Sequence, residues 1–256
     1  MSDELAYIDT TDLAARLARR ELSAVEVMDA TLSRIERRNP SITAFVHEAF
    51  EEARASAQDA DRRLTAGDPV GPLHGVPTAM KDLFDFKPGW PVTFGGIPAL
   101  RDHRVDAYCV WAERMEAAGA IIVGRTNSPA LGLRGVTDNL LFGPTRNPFD
   151  VGRNSGGSSG GAAAAVADGL VPFAEGTDAG GSIRIPATSR PGAARKSTSS
   201  RALKGSRGSG PASAVMPRAA SATVRVSSPS KRNGDAAPKP SGRMTMGTRP
   251  HEPLKP

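Results

Sequence analysis

From residue 188 onward the chain contains no Phe, Trp, Tyr or Ile, and only five Leu or Val among 69 residues. Such a stretch cannot bury enough apolar area to offset its chain entropy. Any packed core must therefore come from residues 1–187, which suffice for one domain of ordinary size. Charge divides at the same place. Residues 1–187 carry 19 Lys and Arg against 25 Asp and Glu, a net of −6, and residues 188–256 carry 14 against 2, a net of +12. The +6 of the whole chain hides this split. We read 1–187 as a folded portion and 188–256 as a low-complexity basic tail, disordered or out of frame. A basic tail can meet nucleic acid or an acidic membrane. This one comes with no folded reader and no aromatic stacking residues, so no nucleic-acid partner is expected.

The tail's Arg, Ser, Ala, Pro, Gly and Thr are what GC-rich DNA tends to encode when read out of frame. Arg190-Pro191-Gly192-Ala193-Ala194-Arg195-Lys196 can be encoded by bases that spell Gly-Leu-Val-x-Leu one nucleotide over. A frameshift near Thr188 is the expectation. Resequencing the gene tests it, and a tail confirmed as the intended frame ends the idea. No apolar run approaches the length of a membrane span, and Met-Ser-Asp-Glu-Leu lacks the pattern of a signal peptide. Cys109 is the only cysteine. It excludes a disulfide framework, fits a reducing cytoplasm, and reads as a buried structural thiol on a helix.

The first third reads as helical. Ser23-Ala-Val-Glu26 is a capping box. Val25, Met28, Leu32 and Ile35 follow at helical spacing, and Pro40 is predicted to stop that helix. Helices are also predicted over roughly residues 12–20 and 48–64. Leu73-His-Gly-Val-Pro-Thr-Ala-Met-Lys-Asp82 reads as a short strand that delivers Lys81 at its end, with Pro77 at a strand start or on an edge. A helix over 106–118, ended by Gly119, leads into a buried strand over 120–124. That is an α/β pattern. Residues 143–152 read as loop, 162–168 as a short helix, 170–174 as strand and 176–181 as a turn. There is no internal repeat.

Between Arg153 and Ala187, two glycine-framed serines, Ser158 and Ser182, stand 24 positions apart with a small-residue helix and an apolar run between them. An alkoxide nucleophile needs a proton acceptor, usually histidine. The chain has His47, His74, His103 and His251, and only His251, in the tail, follows the serines. Gly157-Ser158-Ser159-Gly160-Gly161 formally matches the G-x-S-x-G elbow. Its lead-in is polar loop and its acid and histidine partners are missing, so we set that match aside. The remaining base is a lysine, which must be neutral to take a proton and so must be buried or placed near positive charge. Lys81 is the best placed; its alternative is a solvated surface lysine. Ala179-Gly180-Gly181-Ser182 allows successive N–H groups to point at one place and stabilise an oxyanion. The alternative there is an ordinary glycine turn.

The segment Gly156 to Ala187 resembles the signature of the amidase signature family. So do Gly71-Pro-Leu-His-Gly-Val-Pro-Thr-Ala-Met-Lys-Asp82, Ala118-Gly-Ala-Ile-Ile-Val-Gly-Arg-Thr-Asn127 and Thr137-Asp-Asn-Leu-Leu-Phe-Gly-Pro-Thr-Arg-Asn-Pro148. The resemblance covers roughly residues 8–187. It implies an α/β fold with one large mixed twisted sheet covered by helices, incomplete here. It implies a Ser–Ser–Lys triad in which Ser182 is the nucleophile, Ser158 the bridging serine after a cis peptide bond, and Lys81 the base. The N–H groups of Ala179, Gly180 and Gly181 align with the oxyanion hole. Asp178 and Arg184 align with charged positions read as supports of the glycine turn, and Ser159 and Thr177 as hydrogen-bonding neighbours. The implied reaction is hydrolysis of a small-molecule amide to acid plus ammonia or amine through an acyl-enzyme, with no metal or organic cofactor. It also admits a homodimer in the intact family form.

Two other readings stay open. One is a non-catalytic basic-tailed protein that keeps an amidase-like fragment. The other is the glutamine-using amidotransferase component that amidates misacylated transfer RNA; Ile185, where that component typically has glutamine, speaks for a general amidase. The family pattern runs on past Ala187 and this chain departs from it there. The expectation is a chain truncated relative to the family, with exposed strand edges, low stability and no activity.

Overall fold

A computed structural model of the chain describes residues 5–189 and the backbone of 212–217. Three helices come first: α1, Thr10–Ala18, α2, Ala24–Ile42, and α3, Phe50–Ala66. The capping box predicted for α2 is present, with the Ser23 hydroxyl accepting from Glu26 N and the Glu26 carboxylate accepting from Ser23 N. Pro40 does not stop α2. Its missing N–H removes one bond of the ladder, but Thr43 N still donates to Asn39 O at 2.7 Å and holds the last turn. The helix ends where Thr43 turns left-handed, at φ 50. There the Asn39 side chain clamps both the N–H and the carbonyl of Phe45.

Phe45 opens β1, Phe45–Glu48, a strand for which the sequence carries no local signal. The strands β2, Pro77–Lys81, β3, Ile121–Thr126, and β6, Phe173–Asp178, form the middle of a five-stranded sheet. Its order is β1-β3-β2-β6-β7, where β7 is Ala212–Pro217. β2 runs parallel to both neighbours, while β1 and β7 run antiparallel on the two edges. Pro77 thus starts a strand that lies in the sheet's centre and not on an edge. β7 belongs to the segment read as disordered. It pairs Thr177 with Ser213 and Asp178 with Ala212 along the far side of β6. The rest of that reading, for 190–211 and 218–256, lies outside the described residues.

The alternation of side chains along β2 and β3 sorts the core into two faces. Ala79, Ile121 and Val123 join Leu13 and Leu17 of α1, Met28, Leu32 and Ile35 of α2, Ala57 of α3 and a later helix, α5, Gly160–Ala167. Met80 and Ile122 pack on the opposite face with Trp90 and Ala112 of α4, Val110–Ala117. Each large apolar side chain buried here stabilises the fold by about 1.5–3 kcal/mol. α4 is shorter than predicted, and Cys109 sits at its N-cap, half-buried, with its sulfur accepting from Ala112 N at 3.4 Å. The stretch 143–152, read as loop, contains most of a small hairpin of β4, Arg146–Asn147, and β5, Asp150–Asn154. The strand predicted at 170–174 is displaced to Phe173–Asp178, so it carries its residues into the site. No helix among the described residues is long and apolar enough to cross a membrane.

Candidate active site

Lys81 is the last residue of β2, and its side chain is fully enclosed. The parallel pairing with β6, Ala79 opposite Ala174, brings its side chain within reach of Thr177, and α5 begins beside it. α5 can lie that close because its second residue is glycine. A Cβ on Gly161 would stand 2.3 Å from Asn127 N and 2.8 Å from Ala44 O. The residues before α5 therefore reach the end of β2. The Gly157–Ser158 peptide bond is cis, and Ser158 and Ser159 are both buried.

Lys81 Nζ lies 2.8 Å from Ser158 Oγ, 3.0 Å from Ser159 Oγ and 3.0 Å from Thr177 Oγ1. A neutral amine has two N–H bonds and one lone pair, which matches three hydroxyl partners. Ser159 Oγ already accepts from Thr177 N and donates to Thr177 O, both at 3.3 Å. With its own proton committed, it must accept from Lys81. Ser158 Oγ has Lys81 as its partner among the described residues. It and Thr177 Oγ1, which likewise has Lys81 as its partner there, are the hydroxyls free to give a proton to the lysine lone pair, and Ser158 makes the shorter contact. Burial pulls the Lys81 amine from its ordinary 10.5 down to about 8, against the upward pull of Glu175, Asp85 and Asp178.

Ser182 follows Gly181, whose φ of +122 favours glycine. Its carbonyl accepts Ser159 N at 3.0 Å, which docks the two serine segments on each other. The Ser182 hydroxyl makes no hydrogen bond to another described residue. The step from Ser158 to Ser182 is therefore the one link of the expected relay that is not closed.

Asp178 organises the turn between β6 and the short helix α6, Arg184–Thr188. Its carboxylate accepts N–H groups from Gly181 at 2.7 Å and from Ile183 and Arg184 at 3.2 Å, and the Arg184 guanidinium grips it in a two-point pair. Arg184, then these N–H groups, hold the Asp178 carboxyl well below the usual range. This corrects the expected oxyanion hole at one position. The Gly181 N–H is turned into Asp178, while Ala179 and Gly180 are exposed.

The described histidines are elsewhere. His47 rests edge-on against Trp90, His74 bonds Ala60 O, and His103 lies by Phe94. His251 is outside the described residues. Among the described residues no group of three His, Cys, Asp or Glu could hold a metal ion. The sequence reading missed three buried charged groups around Lys81. They are Glu175 on β6, Asp85 in the loop after β2, and Arg125 on β3. The only sequence signal was a charge inside an otherwise apolar strand pattern.

The profile of the Amidase family matches residues 26–190. An acylamidase of Rhodococcus erythropolis is 43% identical over 182 residues, which is 71% of this chain and 38% of that protein. A glutamyl-tRNA(Gln) amidotransferase component from Ralstonia nicotianae is 48% identical over 177 residues, 69% of this chain and 35% of that one. A solved bacterial aryl acylamidase of the amidase signature enzymes superposes with a TM-score of 0.70 at 49% identity, covering 72% of this chain and 38% of that one. The chain thus spans less than two fifths of the length of these relatives.

Proposed function

The chain belongs to the amidase signature family, and we propose that its residues 1–187 carry the nucleophilic machinery of an enzyme that hydrolyses carboxylic amides to acid plus ammonia or amine. The observation that carries this reading is the contact of an enclosed Lys81 with Ser158 Oγ at 2.8 Å, in a setting whose burial pulls the amine down to about 8. Neutral Lys81 draws the proton of Ser158, Ser158 draws that of Ser182, and Ser182 attacks the amide carbonyl. The developing oxyanion meets the Ala179 and Gly180 N–H groups, which a fixed turn holds ready before the charge forms. The proton returns through Ser158 to the leaving nitrogen, and an acyl-enzyme on Ser182 remains. Water then repeats the attack with the same relay and frees the acid. For this relay the Ser182 hydroxyl must rotate toward Ser158, a side-chain motion of ordinary speed.

The substrate class favoured is a general amide. Ile185 is partly exposed and presents its Cδ1 beside Gly181, so the surface next to the nucleophile is apolar. A glutamine-using transfer-RNA amidotransferase component is the second reading, favoured by the identity to such proteins. A cytoplasmic setting and a homodimer of the intact form complete the reading. The test is labelling of the full chain with a fluorophosphonate probe, followed by hydrolysis of an aryl amide. Labelling at Ser182 that disappears in Ser182→Ala supports the proposal. A folded chain that reacts at no serine sinks it, and glutamine-dependent amidation without aryl-amide hydrolysis selects the second reading.

A further inference from the structure

Two carboxyl groups lie beside Lys81 that the proposed reaction leaves unused. Glu175 has no solvent contact, while Asp85 keeps 7% of its surface. Glu175 Oε2 accepts the main-chain N–H of Lys81 at 3.0 Å. Its other oxygen, Oε1, and Asp85 Oδ2 are both buried and meet no N–H or O–H donor among the described residues. The two side chains lie within reach of each other, so one proton between them would satisfy both open oxygens. Ionised carboxylates only accept, so a bond between them requires a proton. Arg125 does not relieve the pair. It donates through Nη1 to the carbonyl oxygens of Asp85 at 2.7 Å and Lys81 at 3.4 Å, and its Nε and Nη2 find no described partner.

We propose that Asp85 and Glu175 hold one proton between them, carried by Glu175, and that this pair is a positioning device that keeps the neutral amine of Lys81 within reach near neutral pH. The remaining negative charge falls on Asp85, the partner that still touches solvent. The Arg125 guanidinium offsets part of it at a distance, without a hydrogen bond to either carboxyl. Were both carboxyls ionised, two negative charges would hold Lys81 as an ammonium with no lone pair to offer. With one proton shared, that pull is halved and burial decides the lysine's state. The other groups facing this cluster are Asp82 after β2, Cys109 at the start of α4 and Asp178 along β6, with His47 of β1 facing Arg125.

The inference rests on Lys81 as the base, and its test needs no turnover. The full chain, with lysine carbon-13 at Cε, is titrated by NMR, and the infrared carbonyl band of a protonated acid is sought at neutral pH. Glu175→Gln keeps a neutral donor toward Asp85, so the Lys81 midpoint stays in place and the acid band is lost. Asp85→Asn removes the remaining charge and lowers the midpoint by about 1–3 pH units. Equal lowering by both variants, or no movement in either, overturns the pair. So does the absence of the acid band in the unsubstituted chain, a readout that holds if a variant fails to fold. Failure of amide hydrolysis with these titrations intact counts against the proposed function and not against the pair.

Discussion

At the scale of single residues, Ser158 and Ser159 are neighbours with the same side chain and nearly the same distance to Lys81. Their remaining hydrogen bonds separate them. Ser159 is saturated by Thr177, while Ser158 has a proton to give and lone pairs to spare. In the full chain, Ser158→Ala should cut the rate of fluorophosphonate labelling by at least about 10³-fold. Ser159→Ala, which removes the anchoring bonds to Lys81 and Thr177 but no proton of the relay, should cost about tenfold. Equal losses would erase the distinction. The labelling rate should also depend on pH through Lys81. It needs the neutral amine, so it should rise as pH passes about 8 and fall away below.

At the scale of elements, the approach of α5 to β3 sets where the serines lie. Gly161 stands against the main chain of Asn127 and Ala44, neither of which can yield as a side chain could. Gly161→Ala should cost about 1–3 kcal/mol in urea denaturation and displace Ser158 from Lys81. Unchanged stability together with unchanged labelling would refute this packing argument. Legibility in the sequence followed the source of each element's stability. α2 announced itself through Ser23, Glu26 and its apolar spacing, all local signals. β1 and the β4–β5 hairpin did not, because short strands on an edge are held by their partners and carry no period of their own. Pro40 misled for a related reason: the clamp of Asn39 on Phe45 keeps the helix going two residues past it.

At the scale of the whole molecule, the sheet buries its parallel centre and ends on two antiparallel edges. β7 pairs along all six residues of β6, the strand that carries Glu175, Thr177 and Asp178. A chain ended at residue 189 should therefore lose hydrogen-exchange protection at the β6 amides facing β7, and equal protection in both chains would count against the pairing. Global stability should follow pH through Lys81. Its amine titrates near 8 in the fold and near 10.5 unfolded. Below about 8 both states hold the proton and the burial cost is present in full. Between about 8 and 10.5 the unfolded chain binds more protons, so stability should rise with pH by at most about 3 kcal/mol. A urea midpoint that falls steadily across that window would contradict it.

The residue order alone determined which groups were available: a lysine closing a short apolar strand, two glycine-framed serines, an acid and an arginine flanking a glycine turn. Composition also limited how much apolar area residues 188–256 could bury. Tertiary structure decided which hydroxyl the lysine meets, which turn N–H is given to Asp178, and that Glu175 and Asp85 share the lysine's enclosure. The reason is distance along the chain. Lys81 and its hydroxyl partners are 77 to 96 residues apart. Side chains so separated converge only through strand register and helix packing, and no local pattern encodes either.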